Sequence, residues 1–151
     1  MYTEDNFQLD SVWQFVAKDY TLKKKLGEGA YGLVVQAISK ETGRQCAIKL
    51  IKDVFTKVDG GKYALREIKI LRQLSKCKDN VFTPKLLDVV LPPVKDENDT
   101  LTFKDLFIIM EAPRASLDLL KMLSKLKASS LSDTHVKTII YNLLCSVNFL
   151  H

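Results

Sequence analysis

At 151 residues, with 46% hydrophobic and 27% charged side chains, the chain has the length and balance of one ordinary globular domain with a real core. Its net charge of +5 is dispersed without interleaved aromatic residues, which argues for solvated surface rather than nucleic-acid binding, and no apolar run approaches the roughly 18 residues of a membrane span. Met1–Asp10 is too acidic and polar for a secretory signal, and three isolated cysteines, Cys46, Cys77 and Cys145, fit no zinc or disulfide framework, so a reducing cytoplasmic or nuclear setting is expected.

Residues 1–19 carry Phe7, Leu9, Val12, Trp13 and Phe15 without a clean period, and are expected to form an extension that packs on the back of the domain. Tyr20 to Leu26 predicts a strand that runs into Leu26-Gly27-Glu28-Gly29-Ala30-Tyr31-Gly32-Leu33-Val34. Three glycines at this spacing suit a loop that covers phosphates, because bare backbone approaches an anion closely; the same spacing occurs in ordinary hairpin turns. Leu33 to Ile38 is a second strand, Ser39 to Gly43 a turn and Arg44 to Ile51 a third strand, giving an antiparallel meander. A strand after the glycines excludes a dinucleotide-binding fold, which needs a helix there.

Alternation along the third strand turns Ala47 and Lys49 to one face, which Val34 on the preceding strand can share. These residues form an apolar slot with a cation beyond it. The alternative is an exposed strand lysine, the usual fate of that residue. A lysine in such a slot needs an anion, since burying it unpaired depresses its pKa. After the break at Asp59-Gly60-Gly61, Lys62 to Leu74 has helical spacing, with Ala64, Ile68, Leu71 and Leu74 on one stripe. Glu67 lies at its edge among Lys62, Arg66, Lys69 and Arg72. It is either one more surface charge or the partner of Lys49, and the pairing is the expectation taken forward.

Leu101 to Glu111 reads as a further strand, with Phe107-Ile108-Ile109-Met110 apolar on both faces. Ser116 is placed to cap a short segment carrying Leu117, Leu120, Leu123 and Leu126. Ser132 is an N-cap for a last helix whose stripe of Val136, Ile139, Ile140, Leu143, Leu144, Val147 and Leu150 reads as core. His135 and His151 have no partner at ligand spacing, and no metal site is expected.

The glycine loop, Cys46-Ala47-Ile48-Lys49 and Leu65-Arg66-Glu67-Ile68-Lys69-Ile70-Leu71 together resemble the N-terminal lobe of eukaryotic protein kinases. The helix motif and Leu86-Leu87-Asp88-Val89-Val90-Leu91-Pro92-Pro93 are most similar to the mitogen-activated group, and the resemblance covers Tyr20 to His151. It implies an α+β fold: a five-stranded antiparallel sheet with one regulatory helix over residues 20–112, then a hinge and the first two helices of a truncated helical lobe over 113–151. It implies ATP and Mg2+ as cofactors, and protein Ser/Thr substrates and an upstream activating kinase as partners.

In that resemblance Leu26, Gly27, Glu28, Gly29, Ala30, Tyr31, Gly32, Leu33 and Val34 cover the nucleotide, Ala47 and Met110 line the base pocket, and Glu111 begins the hinge. Lys49 orients the α/β-phosphates and Glu67 holds Lys49. Arg66 would meet an activation-segment phosphate, although Tyr63-Ala64 stands where the group usually has Arg-Thr. Two further departures concern the hinge: the usual backbone donor to the adenine ring falls on Pro113, which has no N–H, and Ser116 stands where an acidic residue is common.

The 151 residues contain neither His-Arg-Asp nor Asp-Phe-Gly, the family's catalytic and metal-binding motifs. The chain alone is therefore expected to transfer no phosphate. Two alternatives stand beside the kinase expectation. One is a non-catalytic kinase-like chain acting as an interaction protein through the apolar stripe of its last helix. The other is a cyclin-dependent-type relative, whose helix motif the residues before Glu67 do not match.

Overall fold

Period-two alternation gives the strands of the first unit two buried faces, one covered by the N-terminal segment and one by a helix. The computed structural model describes residues 8–30, 32–56, 59–95, 97–112, 119, 123–124 and 131–151. The chain divides into two units, Met1–Pro113 and Arg114–His151. In the first, the strands are β1 (Tyr20–Gly29), β2 (Gly32–Ser39), β3 (Gln45–Ile51), β4 (Leu86–Val90), β5 (Pro93–Lys95), β6 (Leu101–Phe103) and β7 (Leu106–Glu111), with helix α1 (Gly60–Ser75) between β3 and β4. The main sheet is antiparallel in the order β1-β2-β3-β7-β4, as the sequence leads one to expect, and β5 and β6 form a separate hairpin.

That hairpin corrects one expectation, since Leu101 to Glu111 is not a single strand. The interruption at Lys104-Asp105 has a cause in hydrogen bonding. The Lys104 carbonyl accepts from Val54 N–H at 2.9 Å, and Asp105 Oδ1 accepts from Asp53 N–H at 2.9 Å. Both residues are thus committed to the connection that leads from β3 to α1, and the chain leaves the ladder there.

The back face buries Val35, Ala37, Cys46, Ile48, Leu50, Phe107 and Ile109 together with Leu9, Trp13 and Val16. The segment before β1 forms two short 3-10 turns, Ser11–Gln14 and Val16–Lys18, and packs on this face as expected. Trp13 is fully buried and meets Phe107 edge to face, with centroids 5.1 Å apart at 69°. On the front, Leu106, Ile108, Val54 and Ala64 form a second cluster, joined by Ile51, Ile68, Leu71, Leu86, Val89 and Met110. Of the predicted stripe of α1, Ala64, Ile68 and Leu71 therefore face the sheet.

The described part of the second unit is dominated by α2 (Asp133–Leu150). Ser132 caps it as predicted, its hydroxyl accepting from His135 N–H while His135 Nδ1 accepts from Ser132 N–H at 3.2 Å. Histidine here takes the reciprocal place that Glu or Gln usually holds. The apolar stripe is not buried among the described residues: no residue of α2 is buried, and Val136, Ile140, Leu143, Leu144, Val147 and Leu150 are exposed. Ser116, Leu117, Leu120, Leu126 and Pro113 lie outside the described residues. Among the described residues no helix is long and apolar enough to cross a membrane.

The three glycines of the β1–β2 hairpin have different tasks. Gly32 has φ +121°, and a Cβ there would lie 2.0 Å from the Leu50 carbonyl oxygen. A Cβ at Gly27 or Gly29 would meet nothing within 4 Å. Gly32→Ala should therefore lower stability by about 3 kcal/mol or more in urea unfolding, whereas Gly27→Ala should stay within about 1 kcal/mol.

Candidate functional site

Cross-strand pairing sets the site. Residues directly opposite one another share a face, and the register places Gly27 opposite Val34, Val34 opposite Lys49, and Lys49 opposite Ile108. One step along, Gln36, Ala47, Met110 and Leu86 form the next row. The front face thus brings Val34, Ala47 and Lys49 together beneath the glycine hairpin, as the alternation argument required, and Met110 joins them on the same face.

Lys49 is largely enclosed, with 15% of its side chain exposed against 33% for Glu67. Its Nζ donates to both carboxylate oxygens of Glu67, at 2.6 and 2.8 Å. Glu67 is brought there because Ala64, Ile68 and Leu71 seat α1 on the sheet. The choice between a surface charge and a partner for Lys49 is decided for the partner. A pair of this kind is poor evidence of stabilisation, because desolvating two charges offsets most of their attraction. Its better-founded consequence is geometric: the ammonium is held at a fixed point on an otherwise apolar face.

Other residues of the predicted set fall differently. Glu28 pairs across the hairpin with Leu33, and Leu33 with Leu50, which puts all three on the back face. Leu33 packs against the back core and Glu28 pairs with Lys25, so only the backbone of these two residues is available to the front. Gly29 and Ala30 are exposed beside the hairpin tip, Leu26 is half-buried, and Tyr31 lies outside the described residues. A cavity of about 490 Å³ opens on the back side, between Glu28, Leu33, Leu50 and Lys52, away from Lys49. Glu111 N–H donates to the Lys85 carbonyl at 2.9 Å, and its Oε2 accepts from Lys85 N–H at 3.3 Å. Arg66 lies over the ring of Tyr63, 6.0 Å from its centroid. Among the described residues, no group of three His, Cys, Asp or Glu is placed to hold a metal ion.

Sequence patterns do not single out the residues that fasten the far end of α1. Ser75 Oγ donates to the Leu71 carbonyl at 2.6 Å and accepts from Leu86 N–H at 2.7 Å. Buried Asn80 donates to the Leu74 carbonyl at 3.1 Å, while its Oδ1 accepts from Phe82 and Thr83 N–H. An Asp-Asn turn after a helix is the one signal that points to Asn80; nothing local marks Ser75.

On the back face, burial raises the Cys46 thiol to about 11, and its S–H donates to the Ala37 carbonyl at 3.6 Å. An unfolded chain ionises this thiol near its ordinary value of 9.0, whereas the folded one keeps its proton to about 11. The contribution of Cys46 to stability is therefore constant below the lower value and declines as pH rises between the two.

Residues 20–151 match the protein kinase domain family. Over 136 residues the chain is 33% identical to a mitogen-activated protein kinase 13 of Oryza sativa subsp. indica, covering 89% of this chain and 24% of that protein. It is also 33% identical to the mitogen-activated protein kinase MPS1 of Pyricularia oryzae (strain 70-15 / ATCC MYA-4617 / FGSC 8958), over 90% of this chain and 30% of that one. Mitogen-activated protein kinase 7 of Arabidopsis thaliana is 34% identical over 144 residues, 93% of this chain and 36% of its own length. The chain thus spans about a quarter to a third of the length of these relatives.

Two outcomes follow from this geometry. In urea unfolding, Glu67→Ala should cost about 1–2 kcal/mol by leaving Lys49 unpaired, Lys49→Met should cost less, and the double variant should fall short of their sum. Under native conditions at pH 8, iodoacetamide should modify exposed Cys77 well before buried Cys46, as peptide mass spectrometry will read.

Proposed function

Because the chain belongs to the protein kinase family, we propose that it is the ATP-binding N-terminal part of a Ser/Thr protein kinase of the mitogen-activated type. In the intact protein this part serves phosphoryl transfer from ATP to protein Ser or Thr. The observation that carries the proposal is the bidentate Lys49–Glu67 contact beneath a hairpin with two sterically open glycines. Open space at Gly27 and Gly29 is the kind of cradle a phosphate chain needs, and Lys49 is the cation to meet it. ATP supplies the transferable phosphoryl group. Lys49 binds and orients its phosphate oxygens, Glu67 holds the Lys49 ammonium in place, and Val34, Ala47 and Met110 take the flat base against an apolar wall.

The described residues do not fit Mg2+ equally well, since they include no acidic cluster for a metal. No step is assigned to the metal in this part of the molecule. Protein substrates and an upstream activating kinase belong to the intact protein in this proposal, and a cytoplasmic or nuclear setting accords with three free cysteines.

A second reading, an interaction protein, is favoured by one observation, the exposed apolar residues along α2. Nucleotide titration separates the two. The 151-residue chain should bind adenosine 5′-(β,γ-imido)triphosphate weakly, with Kd of roughly 1 mM, and Lys49→Ala should weaken binding about tenfold or more. It should transfer no phosphate to a generic substrate protein. No binding at millimolar nucleotide would favour the interaction protein, and Lys49-dependent phosphoryl transfer by the chain alone would overturn the proposed division of roles.

A further inference from the structure

We infer that Ser75 is a positioning residue for the Lys49–Glu67 pair, fixing the seat of α1 against β4 through a single hydroxyl. The inference rests on the reading of that pair as the phosphate-orienting group. Ser75 ends α1, and its Oγ is used twice: the O–H donates back to the Leu71 carbonyl at 2.6 Å, and the oxygen accepts from Leu86 N–H at 2.7 Å. The second bond gives the N–H of Leu86, on the edge strand β4, a partner on the helix. The β4–β7 register slips between Leu86 and Asp88, and at that irregularity the Leu86 N–H turns to the helix.

The place of this contact matters more than its strength. Leu86 stands opposite Met110, and Met110 opposite Ala47, so the hydroxyl ties α1 to the row that walls the slot. Its neighbour Lys85 is clasped to Glu111 by two hydrogen bonds, which extends the connection to the end of β7. Asp59, at the start of α1, makes no side-chain cap bond, whereas Ser75 and Asn80 both bond at its finish. Glu67 lies about two turns upstream of that fastened end. A change of seat at Ser75 is transmitted to Glu67 along a stiff helix that also rests on the sheet through Ala64, Ile68 and Leu71.

The test uses the complete 151-residue chain, observing the Lys49 ammonium by 1H–15N correlation and titrating with adenosine 5′-(β,γ-imido)triphosphate. Ser75→Ala should move the Lys49 signal toward that of solvent-exposed lysines and weaken nucleotide binding about tenfold, the factor associated with one such hydrogen bond. Ser75→Thr, which keeps the hydroxyl, should restore both. A purely structural role would lower the urea midpoint and leave the Lys49 signal of the folded population unmoved, and that result overturns the inference. Should Ser75→Ala not fold, Ser75→Cys retains the side-chain shape with a weaker acceptor, and an unmoved Lys49 signal there overturns it equally. If the unaltered chain binds no nucleotide, the phosphate reading fails, while the Lys49 signal still decides the role of Ser75.

Discussion

One electrostatic constraint organises the first unit: a lysine ammonium is held on an apolar sheet face and must be answered by a carboxylate. The Lys49 side chain is only 15% exposed, and the anion comes to it rather than the ammonium reaching water. That requirement fixes where α1 lies, because only a helix seated with Ala64, Ile68 and Leu71 inward delivers Glu67 to both hydrogen-bonding positions. The β3–α1 connection is in turn anchored by Asp105 and Lys104, which explains why β6 ends short of β7. The arrangement is a poor device for stability and a good one for placing charge, since buried pairs gain little over apolar packing but hold what they align in a defined geometry.

Much of this is legible in the order of the amino acids. Alternation puts Ala47 and Lys49 on one face, and helical spacing puts Glu67 at the edge of a stripe that has to meet the sheet. Both inferences depend only on local periodicity and hold over distances of one strand or one turn. The β1–β2–β3 meander is legible for the same reason, whereas the five-stranded sheet follows only from the kinase resemblance. What escapes is non-local bonding: the interruption at Lys104-Asp105 and the hydroxyl of Ser75 depend on partners distant along the chain, and no pattern near either residue encodes them. The sidedness of the glycine hairpin escapes too. Leu26 to Val34 is not one surface, because a hairpin presents alternate side chains to opposite faces, so Leu33 and Glu28 belong to the back.

The hairpin also separates two roles that glycine plays in one motif. At Gly32 the fold itself demands the residue, through a positive φ and the nearby Leu50 carbonyl. At Gly27 and Gly29 the fold makes no such demand, and space is left over. The geometry thus divides the motif into a glycine that the turn requires and two with open space beside them.

The contact of Trp13 with Phe107 has a consequence for how the molecule is made. Trp13 leaves the ribosome early, but the ring it packs against belongs to β7, which is synthesised after β1, β2, β3, α1 and β4. The same strand is inserted between β3 and β4, so the sheet has a gap until it arrives. During that interval a large indole and the inner edge of β3 are without cover, the condition under which nascent chains seek chaperones. β7, the last strand made among the described residues, contributes to both the back core and the front cluster, so neither is whole until it arrives.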